Sequence, residues 1–263
     1  MAVVEIEHVS KQFVRGGIRV EAVRDVSLRI EDGQFVALVG PSGCGKSTLL
    51  HILGGFVPAT AGAMRVDGRP VRGPGPDRGM MFQDLALFPW RNVAGNVGWA
   101  LEVQGRPKAE REAVVDRYLD LVGLRAFKHH YPNELSGGMR QRVALARTLA
   151  FDPGVLLMDE PFGALDAQTR EMMQEELQRI WEEHQKTVLL VTHDIEEAVY
   201  LANRVVVMTA RPGQIKADLA IDLPHPRRIE LKKDAAFIAY RNQIWDLLRE
   251  EVLKARAQLQ QGA

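Results

Sequence analysis

The first third of the chain sets short apolar runs between turns. Val3–Ile6, Ala22–Ile30, Phe35–Val39, Met64–Val66 and Gly79–Phe82 read as strands, because apolar residues either alternate with polar ones or fill the run. Asp32-Gly33 and Asp67-Gly68 are the turn signals between them. Phe35–Val39 is apolar throughout, which predicts a central parallel strand covered on both faces, and it runs straight into a glycine-rich stretch. From about Asn92 to Ala150 the period changes. Val114, Val115, Tyr118, Leu119, Leu121 and Val122 recur at helical spacing with no strand-like run between them, which predicts an inserted helical subdomain over about 84–152. Strands return at Val155–Met158, Thr187–Val191 and Val205–Met208 with helical segments between them, the βαβ alternation of a parallel sheet shared by both halves. After Arg211-Pro212-Gly213 and the Pro224-His225-Pro226 linker, a helix over about Ala235–Ala257 is expected to put Phe237, Ile238, Ile244, Trp245, Leu248 and Val252 on one face. The expected division is a main domain over 1–233 and a C-terminal helical extension over 234–263.

Composition narrows the class. The chain has 263 residues, 46% of them hydrophobic, enough for one substantial core with a smaller subdomain docked on it. Basic and acidic residues balance at 34 each, so no overall positive field draws in a phosphate backbone, and nucleic acid is not an expected partner. The single cysteine, Cys44, excludes an intramolecular disulfide and fits a reducing compartment. The N-terminal MAVVEIEHVSKQF sets Glu5 and Glu7 where a signal peptide needs an unbroken apolar run, and no apolar stretch is long enough to span a membrane. Any role at a membrane must come through a partner.

The chemistry begins after Phe35–Val39. Gly40-Pro41-Ser42-Gly43-Cys44-Gly45-Lys46-Ser47 matches the P-loop pattern GxxxxGK[ST], and Thr48 with the leucine-rich segment behind it can open the helix that pattern requires. Glycines let successive N–H groups turn inward on phosphate oxygens, and the helix adds its positive end. Lys46 would reach the β- and γ-phosphates and the Ser47 hydroxyl would ligate Mg²⁺, so the expected cofactors are ATP and Mg²⁺. The alternative is an ordinary glycine-rich turn from strand to helix. Cys44 is either a reactive thiol that bound ATP would shield from alkylation or a small residue filling the loop.

Val155–Met158 ends in Asp159-Glu160, and an apolar strand that terminates in two carboxylates needs a reason. A metal-bound phosphate supplies one, with Asp159 holding Mg²⁺ and Glu160 deprotonating the attacking water; capping of the next helix is the plainer reading. Thr187–Val191 and Thr192 lead to His193, whose imidazole would contact the γ-phosphate or the water if it lies on the same sheet edge. Gln83, following Met80-Met81-Phe82, ends another strand on that edge, where a solvated amide is the plainer reading.

With Leu135-Ser136-Gly137-Gly138-Met139-Arg140-Gln141-Arg142 just ahead of the Asp-Glu strand, the chain resembles the ATP-binding cassette family over essentially its whole length. The resemblance implies an α/β P-loop NTPase cassette with a mainly parallel core sheet, an N-terminal antiparallel β subdomain and an inserted helical subdomain. It implies that Ser136, Gly137 and Gly138 bind the γ-phosphate held by a second copy of the chain. Phe13 falls where the family stacks an aromatic on adenine, a core position being the alternative. Ala164-Leu165-Asp166 corresponds to the loop that crosses the dimer interface, Gln83 to the metal- and water-contacting glutamine, and His193 to the switch histidine. Met139 replaces the glutamine common in the family's signature.

Within the family, Phe82 to Val93, Thr192 to Ala198 and Met208 to Gly213 look like the ATPases of nitrate, sulfonate and taurine importers. That implies an ATP hydrolase on the cytoplasmic face of the bacterial inner membrane, acting with integral membrane permease subunits and, indirectly, a periplasmic or extracellular solute-binding protein. Leu87, Phe88, Pro89 and Trp90 would be an apolar patch offered to the permease, or else a buried loop anchor. An exporter or lipid-transport ATPase and a soluble cassette ATPase are the rival readings.

Overall fold

The computed structural model describes residues 2–261; Met1 and the last two residues of the expected C-terminal extension lie outside the described residues. The elements in chain order are β1 (Val4–Arg15), β2 (Ile18–Ile30), β3 (Phe35–Val39), α1 (Lys46–Leu53), β4 (Ala61–Val66), β5 (Arg69–Pro70), β6 (Arg78–Met81), α2 (Val93–Val103), α3 (Lys108–Leu121), α4 (Gly137–Ala150), β7 (Val155–Asp159), α5 (Ala167–His184), β8 (Thr187–Val191), α6 (Ile195–Leu201), β9 (Arg204–Met208), β10 (Ile215–Ala220) and α7 (Ala235–Gln261).

The main sheet runs β10-β9-β3-β8-β7-β6. Its five inner and far-edge strands are parallel, and β10 adds an antiparallel edge on β9. Strands β3, β7 and β8 are buried at every position. Their alternating side chains feed two different cores. Val36, Leu38, Val155, Leu157, Leu189 and Val191 face the core that holds α1 and the antiparallel sheet. Phe35, Ala37, Leu156, Met158, Val188 and Leu190 face the core that holds α4 to α7. Burial on both faces is why these strands carry unbroken apolar runs instead of alternation. The second sheet, β2-β1-β4-β5, is antiparallel throughout and is built from the N-terminal residues. Helices α2, α3 and α4 pack on one another through Val97, Val115, Leu119 and Val143; between Val93 and Ala150 the described backbone is helical or turn, with no strand.

The strands extend beyond their apolar signals. β1 continues past Ile6 to Arg15 although His8, Ser10, Lys11 and Gln12 are polar, because it is paired on both sides, to β2 and β4, through register shifts. β10 has no apolar run and exists because its backbone pairs with β9 from Ile215↔Met208 to Ala220↔Arg204. Helix α7 corrects the expected face. Phe237, Ile244, Leu248 and Glu251 are buried, whereas Trp245 is 59% and Val252 37% exposed. The stripe against the core is narrow, and Trp245 and Val252 each sit one residue, about 100° of turn, beyond it.

Arg227 also anchors the linker to the core. Its buried guanidinium donates to the carbonyl oxygens of Val199, Tyr200 and Ala202 at the end of α6, at 3.1, 3.0 and 2.8 Å. These carbonyls have no partner within the helix, and a cation there also complements the helix dipole. Phe237→Ala should cost about 3–5 kcal/mol, whereas Trp245→Ala should stay within about 0.5 kcal/mol of wild type, both read from urea denaturation midpoints at constant m. Equal losses would mean that α7 is seated on a different face.

Candidate nucleotide site

Strands β3, β8, β7 and β6 are neighbours and parallel, so the segments leaving their C-terminal ends emerge side by side. After β3 comes the Gly40–Thr48 loop; after β8, Thr192-His193; after β7, Glu160; after β6, Gln83. Register pairs Leu38 with Val191 and Val191 with Asp159, which aligns three of these ends.

The loop closes on itself and on β2. Gly45 sits at φ 105 just before α1. A side chain there would be strained, and its Cβ would lie 2.6 Å from the Ala22 carbonyl oxygen. Lys46 is buried and donates to the carbonyl oxygens of Gly40 and Pro41 at 2.8 and 3.1 Å, which holds its ammonium over the loop. Cys44 is 1% exposed, and burial pushes its thiol pKa up against the pull of Lys46. It is a packing residue, not an accessible nucleophile. The hairpin between β9 and β10 backs the loop: Gly213 donates to Ala22 O at 3.0 Å and accepts from Arg24 N at 3.0 Å. A Cβ on Gly213 would stand 2.0 Å from the Cys44 carbonyl oxygen.

Ser47 Oγ donates to Asp159 Oδ1 at 3.1 Å. Burial raises the Asp159 pKa, the Glu160 charge adds to the rise, and the Ser47 hydroxyl opposes it. A buried carboxylate beside a hydroxyl is a hard-oxygen pair suited to Mg²⁺, which takes one or two carboxylates and completes its octahedron with phosphate and water. Among the described residues no group of three or more His, Cys, Asp or Glu could hold a metal ion by itself.

Glu160 adopts φ 50, a left-handed conformation uncommon for a residue with a side chain. Its backbone is tied on three sides: its N–H donates to Val191 O at 2.9 Å, and its carbonyl accepts from Gly163 N at 3.2 Å and from Gln141 Nε2 at 3.2 Å. The side chain is aimed by its neighbours, with Gln83 Nε2 donating to Oε2 at 3.4 Å and His193 Nδ1 lying 3.2 Å from Oε1.

Other expected residues stand apart. Ser136 caps α4, its Oγ accepting from Met139 N at 3.2 Å, and Asp166 caps α5, its carboxylate accepting from Thr169 N at 3.0 Å. Hydrogen bonds to the helix start hold the Asp166 pKa down. A Cβ on Gly138 would lie 3.6 Å from Ala164 O, so the Ser136-Gly137-Gly138 segment abuts the Ala164–Asp166 loop. Among the described residues no hydrogen bond joins Ser136, Gly137 or Gly138 to Gly40–Thr48. Phe13 is 42% exposed on the β1–β2 hairpin with Lys11 Nζ 5.0 Å from its ring centre, so it is not a core phenylalanine.

Gln141 is the connection that motif reading missed. Buried at 3% exposure, it donates to Glu160 O and accepts from Ala164 N at 2.8 Å, joining α4 to both loops. Its only signal was a polar residue at a core-facing helical position. Asn96 was missed for the same reason: fully buried, it accepts from Phe88 N at 2.8 Å and donates to Phe88 O, Arg91 O and Asn92 O, fixing the Phe88–Asn92 turn.

A phosphate loop, an Asp-Glu strand end and a serine-capped glycine helix start on a second helix define an ATP-binding cassette, and the chain belongs to the ABC transporter family, whose model matches residues 23–163. It is 49% identical to the nitrate import ATP-binding protein NrtD of Synechocystis sp. over 93% of this chain and 94% of that protein. It is 48% identical to the taurine import ATP-binding protein TauB of Yersinia pestis bv. Antiqua over 85% of this chain and 89% of that one. Among solved structures, a dimeric post-hydrolysis state of the ATP-binding cassette MJ0796 bound to ADP and Pi superposes with a TM-score of 0.78 at 33% identity, covering 84% of this chain and all of that one.

Gly213→Ala tests the backing of the P-loop by the β9–β10 hairpin. The methyl must displace the Cys44 carbonyl, so affinity for a fluorescent ATP analogue should fall about tenfold, equivalent to ~1.4 kcal/mol, and the melting temperature should fall with it. Unchanged affinity would show that the hairpin yields without moving the loop.

Proposed function

We propose that the chain is the ATP-hydrolysing subunit of an importer of a small anion such as nitrate, a sulfonate or taurine, and that two copies close head to tail over two MgATP. The observation that carries the hydrolase reading is the edge where Lys46, the Ser47–Asp159 pair and the Gln83–Glu160–His193 cluster meet, while Ser136 caps a separate helix; import of an anion rests on the likeness to NrtD and TauB. A γ-phosphate on one copy's loop is then completed by the other copy's Ser136, Gly137 and Gly138, whose hydroxyl and N–H groups form a second anion site. Phe13 offers its exposed ring to adenine, and Asp166 lies in the loop that crosses between copies.

In this reading Lys46 and the loop N–H groups bind the β- and γ-phosphates, Ser47, Asp159 and Gln83 hold Mg²⁺, and Glu160 takes the proton of the attacking water with His193 beside it. Mg²⁺ held by these residues would neutralise charge developing on the β- and γ-phosphates. ATP favours closure because only the closed pair uses both anion sites, and a ligand shifts an equilibrium only by such a difference.

No helix among the described residues is long and apolar enough to cross a membrane. The subunit works as a peripheral partner of integral membrane permeases on the cytoplasmic face, with a solute-binding protein as an indirect partner that hands solute to the permeases. A groove of about 790 Å³ lined by Phe56, Met80, Phe82, Phe88, Trp99 and Val103 suits a cytoplasmic helix of the permease. Phe56 is 47%, Trp99 38% and Val103 69% exposed, and Trp90 beside them is 72% exposed. A permease helix that covers these rings removes an apolar patch of the kind that marks interaction sites.

Glu160→Gln should still bind ATP and accumulate as an ATP-bound dimer by light scattering, with kcat lower by about 10²- to 10⁴-fold; near-normal turnover would remove Glu160 from the role. Trp99→Glu with Val103→Glu should abolish co-purification with the permease pair, and retained co-purification would place the contact elsewhere. Cells lacking the chain should fail to grow on nitrate as sole nitrogen source or on taurine or another alkanesulfonate as sole sulfur source, rescued by wild type and not by Glu160→Gln. Normal growth on all of them would overturn the importer assignment and leave the hydrolase intact.

A further inference from the structure

Behind the His193–Glu160 pair lies a small cavity of about 40 Å³, bounded by Glu160, Phe162, Arg170, Thr192, His193 and Glu197. Glu197, in the first turn of α6, is only 5% exposed. Its Oε2 accepts the Thr192 hydroxyl at 3.0 Å, and Thr192 Oγ1 in turn accepts from Asp194 N at 3.0 Å. Asp194 Oδ1 accepts from Glu196 N and Glu197 N at 2.9 and 3.1 Å. The residues on either side of His193 are therefore held by one hydrogen-bonded chain that ends on the Glu197 carboxyl.

The other carboxyl oxygen, Glu197 Oε1, has no protein partner, and neither has the buried Nε of Arg170. Both residues line the cavity, which is roomy enough for a water by the ~10–15 Å³ such a molecule needs. The charges facing Glu197 are unequal. Asp194 on its own turn and Glu160 after β7 are carboxylates, and His193 stands between them. Arg170 on α5, the arginine lining the cavity, lies 3.9 Å from Asp194 Oδ2 and donates to Leu165 O at 2.9 Å, so it is shared. Burial, reinforced by Asp194 and Glu160 and opposed by the Thr192 hydroxyl and Arg170, pushes the Glu197 carboxyl up to about 8.

We propose that Glu197 is a positioning residue for ATP hydrolysis: by holding the Thr192 hydroxyl, its carboxyl fastens the Thr192-His193-Asp194 turn so that His193 stays against Glu160. The inference rests on Glu160 and His193 acting on bound ATP as proposed above. At neutral pH the proton is present and the buried group adds no third negative charge to the pocket. Above pH 8 the carboxylate adds a negative charge facing Asp194 and Glu160, and the repulsion works against the placement of His193. The sign for stability follows from the same shift. Between the ordinary value of 4.5 and about 8 the folded chain keeps a proton that the unfolded chain releases, so this group's contribution to stability falls as pH rises through that window.

The test is steady-state ATPase activity of the whole chain on both sides of pH 8, with melting temperatures over the same range, for wild type, Glu197→Gln and Glu197→Ala. Wild-type kcat should decline above pH 8 at constant KM. Glu197→Ala should lower kcat at neutral pH by about tenfold with KM changed less than about twofold. Glu197→Gln, uncharged at every pH, should recover most of that loss, lack the alkaline decline, and lose the fall in melting temperature from pH 5 to 8. A protonated-carboxyl infrared band present in wild type at neutral pH should be missing from Glu197→Gln. An alkaline decline unchanged in Glu197→Gln, or Glu197→Gln as impaired at neutral pH as Glu197→Ala, would overturn the inference, because the charged form would then be tolerated or required. His193→Ala separates the two levels. Full turnover in that variant overturns the reading of the site itself and the inference with it; lost turnover combined with an unshifted Glu197→Gln profile overturns the inference alone.

Discussion

Strands β3, β7 and β8 lie between two cores, and this burial on both faces governs where chemistry can stand. A charge placed along such a strand would be stranded in low dielectric, so polar groups are confined to the strand ends. Because the strands and β6 are parallel neighbours, their carboxyl ends share one edge, where the P-loop, Asp159-Glu160, His193 and Gln83 meet. Ligand sites in open α/β sheets form outside the carboxyl ends of the strands for this reason.

Confinement to an edge does not by itself aim a side chain. The aiming is done by residues with no direct part in the chemistry. Gln141 ties the signature helix to the Glu160 carbonyl and to the Ala164 amide, and Gly213 presses the β9–β10 hairpin against the P-loop. Glu160 is held in a left-handed conformation that costs of order 1–3 kcal/mol and persists only where its surroundings over-determine it. The three hydrogen bonds on its backbone supply that constraint.

The same logic joins the nucleotide edge to the apolar groove. The segment leaving β6 places Gln83 against Glu160 and then turns through Leu85 and Ala86, both at positive φ. Arg147 on α4 donates to the carbonyl oxygens of those two residues at 2.7 Å each, with its guanidinium 5.7 Å from the Phe88 ring centre. Burial lowers the Arg147 pKa. A short strained segment clamped by one arginine thus touches the Gln83–Glu160–His193 cluster at one end and lines the groove at the other.

Much of this was legible in the chain because the informative residues are local in sequence. The phosphate loop, the apolar strand ending in two carboxylates and the Ser-Gly-Gly helix start each carry their chemistry within a few positions. So do the helical period of the insertion and the unbroken apolar runs of the central strands. Less was legible wherever a residue's role depends on a partner far away in the chain. The polar half of β1 and all of β10 are strands only because other strands pair with them. Trp245 and Val252 share an apolar pattern with Phe237 and Ile244, and the angular width of the core contact alone leaves them outside it. Gln141 and Gly213 are unremarkable letters whose meaning lies in contacts 19 and 191 residues away, Gln141 with Glu160 and Gly213 with Ala22. The sequence by itself determined the class of chemistry, since the geometry of phosphate and metal binding demands particular residues at fixed short spacing. Only the tertiary structure decided how that chemistry is aimed, because hydrogen bonds and packing between distant segments are set by the folded backbone and leave no period or motif along the chain.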